Sequence, residues 1–548
     1  MAEWTIMFYM AGDNNLSENM ALALEGLQSF RQTTETEGKV NLLAYFDGNS
    51  LTAPTHYFDY SEAETYKHPM KKEDRVFSGA TPDGDSEGED DSASASSILN
   101  FVYWCLKTRN RKAANYAIIF SAHSFGFHGT SFLRDDSSGS FMTLFEFRRT
   151  LEIINREFIG AGKKIAILGF DSCVMSMLEV GYELKDVART IIASEGSLPN
   201  SGWGYAPMLK NFVASFDKEE ADCKNNVDYI KKAAQGFVTA FIELYKDLAI
   251  GGRSVDISAW DLARIEPVAS GVNQLAMELN EHLDIVERIK ENQLTDDDIA
   301  VYQELKKIVL QSHYDAQTYM KEQCVDLKDF CQRLIIECKF LEKGKHGRVF
   351  SAIIQRCRDI IVAINKCVLK SGYSGEEYQF SNGISLYFPW TQVTYLLTDY
   401  RYRWLLFNKG FTDDGEPNED LENPTGIGKE WNHFLRNYLS RVTLRGGRKD
   451  ERGKISMFND FSPDSPVWSA KDPVSSQANP HWSIENPRWS KDNPGWSKDN
   501  PGWSKDNPGW SKGEAGEYLF YFGRFKNFQL GWDINGYADE AEFDEKFK

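Results

Sequence analysis

Over the first 260 residues the apolar positions follow two alternating patterns. Short unbroken apolar runs, rich in β-branched and aromatic residues, occur at 5–11 (TIMFYMA), 40–47 (VNLLAYFD), 116–123 (YAIIFSAH), 164–171 (KIAILGFD), 189–194 (RTIIAS) and 254–260 (SVDISAW). Runs of this kind suit strands buried on both faces of a parallel sheet. Between them, at about 16–31, 92–108, 142–157, 174–186 and 225–247, the pattern is helical. Strands and helices alternating at this spacing predict βαβ crossovers and an open, mainly parallel α/β sheet. Residues 262–375 read as helical, followed by one more strand at 383–390 (GISLYFPW) and aromatic-rich helices such as EWNHFLRNYL.

The chain therefore divides into a sheet-bearing domain at 1–260 and a helical region with a returning strand at 261–440. Residues 441–512 hold a charged loop and a repeat, and 513–548 form an aromatic C-terminal segment expected to pack on the main body. The repeat has a period of seven: proline recurs at 466, 473, 480, 487, 494, 501 and 508, and Trp follows two residues later except at Ser475. Asn-Pro-Gly units favour turns and extended chain, not helix. A semi-rigid spacer or docked arm is the simpler reading; stacking on a peptide or glycan is the functional one. Exposed Trp is costly apolar surface, so the arm is expected to pack on something.

Composition narrows the partners. The 548 residues carry 62 Lys and Arg against 81 Asp and Glu, a formal charge of −19. Nucleic acid and anionic membrane both select for basic surfaces, so neither is expected as a partner. No apolar run reaches the roughly 20 residues that span a bilayer. The N-terminus reads as a first strand, not a signal peptide, so the expected location is cytoplasmic, or secreted had a signal been removed. The eight cysteines form no CxxC pair, which leaves zinc ribbons and a disulfide framework unsupported. Cys324, Cys331 and Cys338 recur every seven residues, as small core residues on one helix face would. The acidic stretch 81–94 (TPDGDSEGEDDSAS) reads as a solvated loop with Asp91 or Ser92 capping the next helix. It is rich in the hard oxygen ligands of a calcium loop but lacks the EF-hand order.

Two strand ends carry reactive side chains: His123 closes YAIIFSAH, and Cys173 follows KIAILGFD. Open α/β sheets place their sites at the carboxyl ends of strands. A thiol attacking a carbonyl needs a base or a depressed pKa, and imidazole is the usual solution. A helix beginning at Val174 would aim its N-terminus at Cys173 and lower the thiol pKa. His128 is the nearby competitor for the base. Asp171 lies on the same strand face as Cys173 by period-two alternation. Asp13 and Asp47 end other strands, and read equally well as orienters of active-site loops or as solvated turn residues. No GxGxxG follows the first strand and no GxxxxGK[ST] occurs, so nucleotide binding finds little support.

These segments resemble the clostripain family of cysteine peptidases, within the caspase-like group. The resemblance rests on YMAGDNNL (9–16), SAHSFGF (121–127), LGFDSCVMSMLEVGYEL (168–184), IIASEGSLPNSGWGY (191–205), VDLKDF (325–330) and SNGISLYFPW (381–390), in family order. It implies a caspase-like three-layer α/β/α sandwich with a mainly parallel sheet, to which this chain adds its helical insertion and Trp/Pro repeat arm. It further implies a dyad of His123 and Cys173 in which the His precedes the Cys by two strands. The backbone N–H groups of Ser124 and Cys173 would form the oxyanion hole, although the family usually has glycine at position 124 and often alanine where Ser172 stands. Asp171 would line the pocket for a P1 Arg or Lys, with Glu195 and Ser201 as further substrate-binding candidates. Relatives often carry a second acid near position 201, so a Ser there weakens the clamp on Arg. Some members cut themselves in the loop after the His strand, which makes Arg134 the candidate self-cleavage site. The chemistry requires no cofactor; calcium is a candidate because dependence on it occurs in the family. The competing reading is a catalytically weak relative that acts as a binding or adaptor protein through its Trp repeat.

Overall fold

The computed structural model describes residues 2–442, apart from 34–38, 50–53, 63–64, 72–74, 78–88, 129–131, 161, 215–226, 248–253, 285–293, 320–322, 390–401, 403, 411–417, 419 and 421–423. The seven-residue repeat, the aromatic C-terminal segment and the start of the acidic stretch lie outside the described residues.

The chain builds one large sheet first. Its strands are β1 (Ala2–Gly12), β2 (Val40–Gly48), β3 (His56–Asp59), β4 (Tyr66–Pro69), β5 (Ala113–Ser121), β6 (Ile165–Asp171), β7 (Ala188–Ala193) and β8 (Val255–Asp261). Short strands β9 (Thr318–Tyr319) and β10 (Cys324–Asp326) come next, then β11 (Val368–Ser374) and β12 (Ser385–Tyr387). The order across the large sheet is β11-β8-β7-β6-β5-β1-β2-β3-β4. The inner run β2, β1, β5, β6, β7 is parallel, and the outer strands pair antiparallel.

The apolar runs explain why this sheet is a middle layer. Along β1, Met7, Tyr9 and Ala11 enter one apolar cluster while Trp4, Ile6, Phe8 and Met10 enter another. Successive side chains point to opposite faces, so a strand apolar at every position needs cover on both sides. Helices Ser17–Thr33, Tyr205–Ala214 and Val227–Asp247 cover one face. Helices Ala95–Tyr103, Leu144–Ile154, Leu178–Leu184 and Ile265–Leu283 cover the other. The result is the expected α/β/α sandwich with a mainly parallel sheet. No helix among the described residues is long and apolar enough to cross a membrane.

The region beyond residue 261 departs from expectation. Its helices Asp296–Asp315, Leu327–Leu341 and Gly347–Cys367 form as read, but the strand that returns to the large sheet is β11, antiparallel to β8. The 383–390 segment instead gives β12, which pairs with β10 in a separate three-stranded sheet. The two runs differ in burial: β11 is an edge strand with half-buried positions, which hides its strand character in a helical-looking stretch, whereas β12 is fully buried. Cys324 sits in β10 and not on the helix with Cys331 and Cys338, although all three are buried as expected. The seven described cysteines are free thiols. The helix after the acidic stretch is capped by Ser94, whose hydroxyl accepts from Ser97 N, and not by Asp91 or Ser92.

Candidate active site

Strand register sets the site. Ser121 and Asp171, the last residues of β5 and β6, are direct partners across this parallel pair. His123 and Cys173 each lie two residues further on, so they leave the sheet at the same height from neighbouring strands. The His strand and the Cys strand are thus consecutive in sequence and adjacent in the sheet, one strand apart and not two. Both residues line one cleft with Asp171, Ser172, Leu198, Ser201 and Gly202. The free interior of that cleft is about 40 Å³, room for roughly three waters.

The helix expected at Val174 begins only at Leu178. Residues between Cys173 and Met177 take an irregular turn, in which Val174 adopts φ +58°. A β-branched residue is strained in that region. Burial of Val174 and its N–H bond to Gly196 O (3.0 Å) hold it there. The expected lowering of the thiol pKa by a helix N-terminus is therefore absent: burial pushes the Cys173 thiol up, and the Asp171 charge adds to the rise. The larger opposing influence is the backbone N–H of Leu198, which reaches Sγ at 3.3 Å; the Ser197 side chain is the smaller one. The Leu198 carbonyl accepts from Sγ at 3.9 Å. One loop residue thus holds the thiol from both sides.

His123 is half-buried at the end of β5, and its Nε2 lies 2.5 Å from Asn15 Oδ1. Asn15 follows the end of β1, the strand beside β5. Burial, then the neighbouring Arg134 charge, holds the imidazole down to about 4. A raised thiol and a lowered imidazole both favour the uncharged form. His128, the competitor for the base, ends a short 3₁₀ turn (Gly126–His128).

Asp171 is buried at the cleft floor. Its Oδ1 accepts from Trp203 N at 3.0 Å, and its Oδ2 from Tyr205 Oη at 2.6 Å and Ser121 Oγ at 3.3 Å. Burial nevertheless pushes its carboxyl up to about 6. Gly202, at φ +59°, passes so close that a Cβ there would stand 2.7 Å from Asp171 Oδ2; only glycine permits both the turn and the approach. Ser201 is exposed at the rim of the same cleft. Ser124 is buried, its hydroxyl accepting from Gly126 N at 3.2 Å, and its φ lies outside the left-handed region that would demand glycine. Ser172 is buried with no partner for its hydroxyl.

Glu195 is placed differently from expectation. It does not line the cleft; its Oε2 accepts from Gly383 N at 2.7 Å, among the carboxylates of Asp256 and Asp326. Asp256 in turn accepts the N–H groups of Glu195 (2.7 Å) and Gly196 (2.8 Å). This group anchors the loop that carries Leu198 to Cys173. Asp13 and Asp47 are not solvated turn residues either: both are fully buried. Arg134 is half-buried and paired with Asp136 at 2.7 Å, between the fully buried Leu133 and Asp135. Its carbonyl accepts from Asn14 Nδ2 at 3.1 Å, so attack there requires the loop to lift off the core.

Asn15, Leu198 and Tyr205 complete the site; they lie within the segments 9–16 and 191–205 that carry the family resemblance, but with no nucleophile or base they received no role there. Asn15 also sits just beyond a strand end on the active edge, a positional signal that sets it apart from the other two.

The sequence profile of the Clostripain family matches residues 8–408. Clostripain from Hathewaya histolytica is 22% identical over 312 residues, covering 50% of this chain and 56% of that relative; the match spans little more than half of the relative's length. An inactive zymogen C11 protease from Parabacteroides distasonis aligns over 74% of this chain and 96% of its own, at 17% identity and a TM-score of 0.47. A secreted C11 cysteine protease from Bacteroides thetaiotaomicron, solved with an irreversible peptide inhibitor, aligns over 73% and 97% at 14% identity and 0.47.

Proposed function

The chain belongs to the clostripain family, and on that premise we propose that it is a cysteine endopeptidase in which Cys173 is the nucleophile and His123 the general base. What carries this reading is the pairing of Ser121 with Asp171, from which both side chains emerge side by side into one cleft. His123 takes the proton from Sγ as sulfur attacks the scissile carbonyl carbon. The resulting oxyanion is stabilised by the backbone N–H groups of Ser124 and Cys173. Collapse expels the amine, which receives that proton from His123, and leaves a thioester on Cys173. His123 then deprotonates a water, which attacks the thioester and restores the thiol.

Asn15 orients the base. With Nε2–H donating to Asn15 Oδ1, Nδ1 carries the lone pair that accepts the thiol proton. Asp171, the charged group at the cleft floor, selects Arg or Lys at P1, with Ser201 at the rim. Leu198 lines the cleft and bonds Sγ, so a substrate that displaces the Leu198 loop frees the thiol. Glu195 acts through that loop as a positioning residue.

A panel of fluorogenic peptides with Arg, Lys, Asp, Asn or Leu at P1 tests the proposal. Turnover after Arg and Lys that vanishes in Cys173→Ala and in His123→Ala is the expected result. Turnover that survives either substitution would remove the dyad; turnover after another residue would remove the role given to Asp171.

A further inference from the structure

Four consecutive backbone N–H groups run from Glu195 to Leu198, and each finds an acceptor outside its loop. Glu195 N and Gly196 N donate to Asp256, and Leu198 N donates to Cys173 Sγ. The group between them, Ser197 N, donates to Tyr378 Oη at 3.1 Å. The Tyr378 hydroxyl thus holds the N–H next in line to the one that reaches the thiol. Its ring is fitted to the same loop. A Cβ at Gly196 would stand 2.6 Å from Tyr378 Oη and closer still to the ring, so glycine is what lets the two approach.

Tyr378 can act as a fixed post because its own turn is tied down. It ends a 3₁₀ turn, Glu376–Tyr378, between β11 and β12. Gly375, at φ +96°, opens that turn against Ser254, just before β8. Ser254 Oγ accepts from Glu377 N at 2.9 Å, and Gln317 Nε2 donates to the Glu377 carbonyl at 2.7 Å. Ser381 N donates to the Tyr378 carbonyl at 3.0 Å. The ring packs on Tyr319, with centroids 5.4 Å apart. The titratable groups about the thiol are His123 and Asp171 in the cleft, and Asp256 and Tyr378 behind the loop. Burial raises the Tyr378 hydroxyl above the usual tyrosine range, so it stays un-ionised below about pH 10.

We infer that Tyr378 is a positioning residue for the Cys173 thiol, acting through the backbone N–H groups of Ser197 and Leu198. An N–H bonded to sulfur favours the thiolate, and the worth of such a bond depends on its distance and direction. With the Tyr378 hydroxyl in place, Leu198 N stays aimed at Sγ. Without it, Ser197 N turns to water, which the exposed position of Ser197 allows, and the Leu198 N–H loses its aim. The region beyond residue 261 thereby reaches the reactive edge of the sheet and sets the state of its thiol. The part this plays in catalysis rests on the reading of Cys173 as nucleophile; the effect on the thiol does not.

The test is the rate at which iodoacetamide alkylates Cys173 in the full chain between about pH 6 and 10, read on the Cys173 peptide by mass spectrometry. Tyr378→Phe keeps the ring and removes the hydroxyl. It is expected to displace the rate–pH curve upward by about 0.5–1 unit, which slows alkylation at pH 8 by roughly 3–10-fold. Gly196→Ala, which forces the ring off the loop, should slow it to a similar extent, and the two together should slow it no further, since both lose the same bond. The direction is decisive. A tyrosine that merely packed the loop in place would, once removed, uncover the thiol and speed alkylation. An unchanged or faster rate in both variants would overturn the inference, whatever their melting temperatures. On a fluorogenic Arg peptide the variants should lower kcat/KM by a similar factor. A parent chain without turnover would sink the peptidase reading alone, because alkylation reads the thiol directly.

Discussion

The two sides of the cleft both bury a group of carboxylates, and they treat them differently. On the Cys173 side, Glu195, Asp256 and Asp326 are met by backbone N–H groups: Gly383 for the first, Glu195 and Gly196 for the second, Asp329 and Asn382 for the third. On the His123 side, Asp13, Asp47, Glu89 and Asp90 each keep an oxygen without a hydrogen bond among the described residues; on the Cys173 side only Glu195 Oε1 does. Backbone donors make the first group part of the fold, because a buried acceptor with its donor in place is stable without help. The second group is met less completely: five of its buried oxygens lack a hydrogen bond among the described residues, against one in the first. The two sides thus differ in how completely backbone donors meet their buried acids.

The largest effect should break both sides alike. Cys173→Ala and His123→Ala are each expected to lower kcat/KM by at least ~10⁴, since members of a catalytic unit fail together; burst and steady-state assays on an Arg substrate measure it. Asn15→Ala, which touches only the His side, should lower kcat by roughly 10–100-fold with KM little changed, and Asn15→Asp should recover part of the loss. Alkylation of Cys173 by iodoacetamide should be unaffected by either Asn15 substitution. A fall in that rate would show that Asn15 supports the whole cleft and not His123 alone.

On the Cys side the effect is on stability. Glu195→Ala removes the acceptor of Gly383 N and leaves a gap, at a cost of roughly 2–4 kcal/mol by denaturant titration. Glu195→Gln keeps an acceptor and sheds a buried acid, so it should cost under about 1 kcal/mol. Equal losses in the two variants would mean that charge, not the hydrogen bond, is what the position requires.

The smallest effect sharpens the comparison through pH. Burial pushes Asp256 to about 6 and Asp326 to about 7, and on the cleft floor Asp171 to about 6. A carboxyl raised in the folded state contributes stability that is fully present below about pH 4 and is lost as pH rises through its folded pKa. His123 and His313, held near 4 and 3, act oppositely, adding stability as pH rises towards 6.5. The carboxyls outnumber them, so the melting temperature should fall between pH 5 and 7.5. A rise over that interval would mean that the two histidines outweigh the carboxyls.

Much of this molecule was legible in one dimension. Apolar runs without alternation meant strands covered on both faces, and β1, β2, β5, β6, β7 and β8 lie where those runs lie. Reactive side chains just beyond the ends of two such runs had to reach the active edge. That edge holds His123, Cys173 and Asp171. Such features depend on residues near one another in sequence, where periodicity and strand-end chemistry carry the information.

Tertiary structure decided what depends on distant segments. The sequence pointed to a helix dipole lowering the Cys173 pKa, yet the thiol's environment is set by burial and by Leu198, from the loop after β7. Asp13, Asp47 and Asp135 are unremarkable at their own positions and form a group only because β1 and β2 pair and the loop after β5 folds back over them. Glu195 left the substrate cleft because β8 and the segment before β12 converge on it. The same holds for β11, whose half-buried edge position leaves little period-two signal to read. Desolvation and charge repulsion act through space, so the state of a buried acid or thiol is set by neighbours that its own segment does not name.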